Sequence, residues 1–388
     1  MKAVLFTHPD FSGSTSMPLF ARSIADGLRQ RGVDVIALSP KPLLYRLPLP
    51  NKLRKWLGYF DQFIIFPFTA QFACRNLSKD TIYIFADQAL GPWIPKFSGR
   101  PHAIHCHDLL ALRSAIGEIR QNPVSLSGRI YQKWIRRGFN HGNNFICVSH
   151  RTKVELERFL NQPELSTIQV VHNGLNYPFS PMPQDTSLHL LANAGVHGMD
   201  SGFVLHVGGN QWYKHRAGVI AIYAHYALRA RNPLPLLMVG AKPDTLVREQ
   251  LKRIPPAGRV EFLVRPSTDV LHAAYSQAAA LIYPSLAEGF GWPIIEAMAC
   301  GCPVLTTNDS PMTEAGGSVA NYLPVLQGDL NEWAATCAEI LSSVLSRSSI
   351  ERALARDAGL LHAKRFNEDI TIESYMEIYR AILKDFVA

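Results

Sequence analysis

Short, unbroken apolar runs punctuate the first half of the chain at residues 3–7, 33–38, 81–85, 103–106, 145–148 and 168–171, with helical patterning between them. Apolarity without alternation marks strands buried on both faces, as in a parallel sheet covered by helices. The pattern therefore predicts a doubly wound α/β unit. After a proline- and turn-rich stretch at 177–200 the series resumes at 203–207, 236–239, 260–264, 280–283 and 304–306, with amphipathic segments at 217–231 and 269–279. The expectation is two Rossmann-like domains, 1–180 and 201–365, joined by a hinge at 181–200. A closing helix follows at 366–388, with Ile370, Tyr375, Ile378, Tyr379 and Ile382 at helical spacing. Whether it crosses back to the first domain stays open. Open sheets of this kind bind ligands beyond the carboxyl ends of their strands, so a site shared across a cleft is expected.

Composition narrows the class. A chain of 388 residues exceeds what one hydrophobic core supports, and 47% hydrophobic with 18% charged residues excludes a disordered chain. The opening run MKAVLFTHPDF breaks at His8-Pro9-Asp10, too soon for a signal peptide, and reads as the first strand. No window approaches the roughly 18 consecutive apolar residues of a spanning helix, since 63–72 is interrupted by Pro67 and Gln71. Six scattered cysteines suit reduced, buried thiols in a cytosol. Cys300-Gly301-Cys302 lacks a second ligand pair and reads as a tight helix-to-strand turn instead of a zinc site. The 39 Lys and Arg against 31 Asp and Glu give +8, which favours anionic partners. Nucleic acid is not among those expected, because no recognised motif supports it.

The most informative stretch is Tyr283-Pro-Ser-Leu-Ala-Glu288-Gly289-Phe290-Gly291-Trp292-Pro293-Ile-Ile-Glu296-Ala-Met-Ala-Cys300-Gly301-Cys302-Pro303-Val304. A strand ends at Tyr283 and a glycine-bearing loop follows. Pro293 falls where the first helical residue would be, a position that tolerates its fixed φ and missing N–H. Amides and the positive dipole end at such a helix start make an anion site, and Gly289 and Gly291 let a ligand approach the backbone. A diphosphate fits. Glu296 is expected in the first helical turn and Glu288 in the loop, so that both carboxylates face one mouth and hold sugar hydroxyls. Two glutamates alone would read as a dipole-stabilising acid and a solvated one; the whole setting carries more.

This setting resembles the retaining glycosyltransferases of family 4 (glycosyl transferases group 1), whose signature has two glutamates with seven residues between them, in Glu-Gly-Phe-Gly-x-Pro-x-x-Glu-Ala-Met-Ala-x-Gly-x-Pro-Val. The match is nearly residue for residue, with Trp292 where the family usually has Leu. The resemblance implies a GT-B fold, with Glu296 on the nucleotide ribose, Glu288 on the transferred sugar, and the amides of Gly289, Phe290 and Gly291 on sugar hydroxyls and phosphate. In Val207-Gly208-Gly209-Asn210-Gln211-Trp212-Tyr213-Lys214-His215-Arg216 the family lysine falls on Lys214. The family arginine falls on Gly209, a departure that leaves Arg216 or His215 as substitutes for the second phosphate contact.

The resemblance extends to the first half. Gly13, in Phe11-Ser12-Gly13-Ser14-Thr15-Ser16, lies in the loop that relatives place near the donor phosphates and the acceptor. In Ile104-His105-Cys106-His107-Asp108, His107 is favoured over His105 as the histidine reaching toward the donor sugar. Ser149-His150-Arg151 and His172-Asn173-Gly174 match two further landmarks, although Ser149 also reads as a helix cap and Asn173-Gly174 as a common turn. Tyr275, Tyr283 and Asp269 agree with the family as packing and capping residues.

The implied reaction moves a hexosyl unit from a nucleotide-diphosphate sugar to a glycan or lipid-linked acceptor, in bacterial cell-surface polysaccharide synthesis. Catalysis is expected from His107, Lys214 and Glu288, with no cofactor beyond the nucleotide-sugar co-substrate and, for want of an Asp-x-Asp at a strand end, no metal. The segment 41–60 mixes Lys41, Arg46, Lys52, Arg54 and Lys55 with Leu, Trp and Tyr, a composition suited to an anionic bilayer. A cytoplasmic protein, peripheral at the inner membrane face, is expected. Two rivals remain at this stage. A glycosidase would use the glutamates as an acid and base flanking a sugar, and a catalytically silent sugar-nucleotide module would keep Glu296 and Lys214 without turnover.

Overall fold

The unbroken apolar runs of the first half become six parallel strands: β1 (Lys2–Phe6), β2 (Asp34–Leu38), β3 (Thr81–Phe85), β4 (His102–Cys106), β5 (Asn144–Cys147) and β6 (Thr167–Val170). Their spatial order is β2-β1-β3-β4-β5-β6. β3 and β4 are buried along their whole length, whereas the edge strands β2 and β6 hold only exposed and half-buried positions. This computed structural model describes residues 1–12 and 16–387, with all their side chains except those at positions 12, 16, 51, 52, 55 and 387. The first unit comprises Met1–Asn176 together with Glu368–Ala388, and the second Tyr177–Asn367.

One face of the first sheet is filled by aromatic rings. Phe6 lies 4.7 Å, centroid to centroid, from both Phe85 and Phe97. The helix Leu126–Phe139 is pressed backbone to backbone against the segment Gln88–Lys96. A Cβ at Gly138 would stand 2.1 Å from the Gly91 carbonyl oxygen, so only glycine permits that approach. The other face receives the last helix, Glu368–Val387, which therefore belongs to the first unit. Its Tyr379 hydroxyl lies 2.7 Å from His105 Nε2, and its Ile372 side chain lies where a Cβ on Gly27 would sit.

The second unit repeats the plan with β7 (Phe203–Gly208), β8 (Leu236–Gly240), β9 (Val260–Val264), β10 (Ala278–Tyr283), β11 (Val304–Thr307) and β12 (Asn321–Leu323), ordered β12-β11-β10-β7-β8-β9 and all parallel. The three-residue edge strand β12 has no counterpart in the apolar runs, being too short and only partly buried. Much of the stretch 181–200 is a helix, Gln184–Asn193, with Ser187 and Leu191 buried. Just before it, the Met182 N–H donates to Ser276 Oγ at 3.2 Å, tying this stretch to the second unit. All six cysteines are buried and free. Burial pushes the Cys300 thiol up to about 12. No helix among the described residues is long and apolar enough to cross a membrane.

Candidate functional site

In the second unit two chain segments leave neighbouring strands at their carboxyl ends. β7 runs into a single helical turn, Trp212–Lys214, and β10 into the loop preceding the helix Trp292–Ala299. They are tied together where the Leu286 N–H donates to the Tyr213 carbonyl at 2.8 Å. β11 pins the second loop from below, because Thr306 Oγ1 and Thr307 Oγ1 donate to the carbonyls of Tyr283 and Ser285, both at 2.8 Å.

Between these loops lies a part-buried three-member polar cluster. Lys214 Nζ donates to Glu288 Oε1 at 2.7 Å and to the Tyr283 hydroxyl at 2.5 Å, and that hydroxyl donates to the same Glu288 oxygen at 2.6 Å. Glu288 is thus no solvated loop acid. Its side chain is 8% exposed, and the lysine's 16%. Desolvation, followed by the neighbouring Glu288 charge, holds the Tyr283 hydroxyl well above its ordinary range, so it stays a donor. A charge-assisted cluster of this depth keeps its members in fixed rotamers until a ligand replaces one of the partners.

Glu296 departs from its expected position. Gly291 caps the helix with φ 111° and ψ 53°, a conformation that glycine adopts without cost, and the helix begins at Trp292. Glu296 is therefore the fifth helical residue, not a member of the first turn, and its side chain turns inward. It is buried, and Oε2 accepts from the Tyr275 hydroxyl at 2.7 Å. Burial raises the Glu296 carboxyl to about 7, with the Tyr275 hydrogen bond and the Lys214 charge pulling the other way. The helix start also offers fewer amides than the sequence suggested. Pro293 has none, and the Ile294 N–H is taken by the Gly291 carbonyl at 3.0 Å. Charge for an anion then rests chiefly on lysine and arginine side chains. Phe290 buries its ring against Phe366, centroids 5.6 Å apart, and so presents only its backbone.

Arg216, the first residue of the helix Arg216–Arg229, is 4% exposed. Nη1 donates to Asn210 Oδ1 and the guanidinium lies over the Phe262 ring at 5.7 Å, while Nε and Nη2 are buried with no partner among the described residues. A cation at a helix start opposes the dipole, and an unsatisfied buried guanidinium is costly. Both costs fall away if an anion binds there. His215 is the weaker substitute. It is held in a left-handed conformation with φ 49°, its ring 5.2 Å from that of Trp333, and burial lowers it to about 4, leaving it neutral. Gly209 itself follows β7, where an added Cβ would meet only the flexible Gln211 side chain.

In the first unit β4 ends at Cys106, and His107 is the first residue beyond it. Its Nε2 lies 2.9 Å from the Ala86 carbonyl, which can only accept, so Nε2 carries the proton and Nδ1 is left as an acceptor. Desolvation lowers its pKa, which favours the neutral ring. His105 turns into the core, where burial lowers it to about 3. Ser149 does cap a helix, its side chain accepting from the Thr152 N–H. Asp269 does not. Ser267 caps that helix, and Asp269 accepts from the Tyr177 hydroxyl at 2.7 Å. Gly13 lies outside the described residues.

Tyr275 and Tyr283, read from sequence as packing residues, are the ones that hold the two glutamates. The available signal was chemical: a buried tyrosine needs a partner for its hydroxyl, and carboxylates stood nearby in the motif.

Comparison with known proteins decides the family. A family model described as Glycosyl transferases group 1 matches residues 203–343, and one described as Glycosyltransferase Family 4 matches residues 19–177. The chain belongs to the family 4 glycosyltransferases. This glycosyltransferase is 27% identical over 258 residues to O-antigen chain mannosyltransferase B of Escherichia coli, covering 66% of the chain and 65% of that protein. It is 30% identical over 255 residues to D-inositol 3-phosphate glycosyltransferase of Mycolicibacterium smegmatis, covering 61% of the chain and 53% of the relative. The chain thus spans between about half and two thirds of the length of these curated relatives. Among solved structures, sucrose-phosphate synthase from Thermosynechococcus elongatus matches with TM-score 0.71 at 18% identity, covering 99% of this chain and 100% of that one. Anabaena HepE in complex with UDP-glucose matches with TM-score 0.67 at 17% identity, covering 100% and 99%. Both place this glycosyltransferase in the same fold, two Rossmann-like units.

Proposed function

We propose that the protein transfers a hexosyl unit from a nucleotide-diphosphate sugar to a hydroxyl of a glycan or lipid-linked acceptor, with retention of anomeric configuration, in cell-surface polysaccharide synthesis. The observation that carries this reading is the part-buried cluster of Lys214, Tyr283 and Glu288 at the carboxyl ends of β7 and β10, beside the Glu296–Tyr275 pair. Lys214 is placed to compensate the negative charge that grows on the leaving diphosphate, which is where preorganised electrostatics contribute most. Arg216, with two nitrogens that have no partner among the described residues, supplies the second cation that Gly209 cannot. Glu288 accepts from hydroxyls of the transferred sugar, and Glu296 from the ribose. As the bond between the anomeric carbon and the phosphate oxygen breaks, the acceptor oxygen bonds to that carbon from the same face, and its proton passes to the departing phosphate. Two cationic side chains provide the charge, so no metal is invoked and chelation by EDTA is expected to leave the rate unchanged.

The relatives support the donor class: HepE is described in complex with UDP-glucose, and the Escherichia coli relative is a mannosyltransferase. Thermal-shift screening against uridine, guanosine and adenosine diphosphate sugars, followed by transfer assays with NMR of the product anomer, tests the proposal. An inverted product removes the retaining mechanism, and failure of every donor to bind removes the proposal. Binding without transfer to any acceptor favours a catalytically silent module, a reading that the missing arginine at Gly209 keeps in play.

A further inference from the structure

The helical segments Asn51–Phe60, Asp61–Ile65 and Phe66–Cys74 follow one another without a break. Along them Leu53, Trp56, Phe60, Ile64, Phe68 and Phe72 are each between 46 and 65% exposed. Such a row is not what a helix covering a core looks like. Four-residue steps overshoot a 3.6-residue turn by about 40° each and would spiral off the face. The middle segment, wound with i→i+5 bonds, takes up the excess and works against that drift.

Beside this ridge runs the helix Leu126–Phe139. Leu126, Ile130 and Trp134 are 74, 62 and 42% exposed, and the exposed Arg129, Lys133 and Arg137 occupy the same face. Ring contacts join the two helices: Tyr59 to Tyr131 at 6.0 Å and Phe63 to Trp134 at 4.8 Å. Between them lies a groove of about 430 Å3, its walls including Trp56, Tyr59, Phe63, Ile130, Tyr131 and Trp134.

The charge on this face has one sign. Arg75 and Lys96 sit over the rings of Phe72 and Phe68, at 3.7 and 5.3 Å. Between residues 41 and 75 the sequence holds one acid, Asp61, and between 119 and 154 none. Asp61 is buried, accepting from the N–H groups of Leu44 and Tyr45 at 3.0 and 2.9 Å. Exposed aromatic and aliphatic side chains, interleaved with long cations and free of surface acids, match an acyl layer topped by anionic headgroups. A protein partner of ordinary composition would meet a rim of mixed sign.

We infer that this two-helix face of the first unit docks on an anionic lipid bilayer, with the 53–72 ridge sunk among the acyl chains and one lipid chain lying in the aromatic groove. The contact is broader than the segment 41–60 that the sequence suggested.

Flotation of the full chain with vesicles of phosphatidylcholine and phosphatidylglycerol tests it, against phosphatidylcholine alone. Binding at low salt is expected to be at least tenfold tighter to the anionic vesicles. Exchanging Arg129, Lys133 and Arg137 for Ala is expected to weaken it about fivefold per cation removed, and the double variant Phe68→Ser/Phe72→Ser to weaken it on both vesicle types. Thermal shifts with nucleotide sugars check that each variant is folded. Brominated acyl chains should quench tryptophan fluorescence, and Trp56→Phe/Trp134→Phe should remove the quenching while keeping the binding. Absence of vesicle binding by the folded wild type overturns the inference, as does binding indifferent to both sets of variants. A concentration-dependent dimer abolished by Phe68→Ser/Phe72→Ser, without vesicle binding, would assign the face to a second copy instead.

Discussion

Replacing Glu296 by glutamine removes a buried carboxyl while keeping its shape and its acceptor for the Tyr275 hydroxyl, so the variant isolates the effect of charge. Folding moves this group from an ordinary 4.5 to about 7, mainly by desolvation. A raised acid holds its proton more tightly in the folded than in the unfolded chain. Its contribution is therefore fully present below pH 4.5 and is lost as pH rises through about 7. Below pH 4.5 both states are protonated and the substitution is near neutral. Between the two values the wild type falls behind the variant by about 1.4 kcal/mol per pH unit, and above pH 7 the gap levels at about 3 kcal/mol. For a unit of this size that is roughly 6–12 °C in Tm. Melting curves of both proteins at half-unit steps from pH 4 to 8.5, without nucleotide, measure the gap directly. A difference that stays constant across the range would refute the reasoning, since it would mean that Glu296 titrates normally and that the variant acts through packing alone.

Nucleotide binding carries the same proton in reverse. If the ribose is held by the carboxylate, affinity should fall up to tenfold for each pH unit below 7, and Glu296→Gln should flatten that slope; calorimetry across pH decides. In Tyr275→Phe the carboxyl loses a hydrogen bond that lowers its pKa, so the same binding profile should move to higher pH, and an unmoved profile would show that the tyrosine merely packs. Lys214→Met is expected to lower kcat by about 100- to 1000-fold with a small change in donor affinity, whereas a purely structural lysine would lower stability and leave kcat alone. Gly291→Ala forces a side chain into the left-handed region and should cost about 1–2 kcal/mol of stability by thermal or urea unfolding.

Eleven of the twelve strands were legible because a parallel sheet buried on both faces writes its strands as continuous apolar runs, a signal that survives without knowledge of the partners. β12 escaped because three residues at an edge leave no such run. Residues 184–193 looked like a linker since prolines and polar residues dominate the neighbourhood, yet two buried positions, Ser187 and Leu191, sufficed to dock a helix. The glutamate motif was legible in full, but the partners of its acids were not. Tyr275 comes from a helix 21 residues upstream of Glu296, and no periodicity connects the two. The placement of Glu296 turned on one residue of helix start, which Pro293 suggested and Gly291 fixed differently. The two-helix apolar face was half visible, in the basic first part of its ridge. Its other half depends on a helix more than fifty residues later in sequence, brought alongside through the glycine contact at Gly91 and Gly138.

The chain leaves the first unit at Asn176 and comes back only at Glu368. Departure and return meet: a Cβ on Gly174 would lie 2.7 Å from the Glu368 Cα. During synthesis the whole of the second Rossmann-like unit must therefore emerge before the last helix can cover His105 and Gly27. The half that is made first is completed last, and a nascent chain stalled anywhere between those two points leaves the patch around His105 and Gly27 without its covering helix, a natural target for chaperone capture.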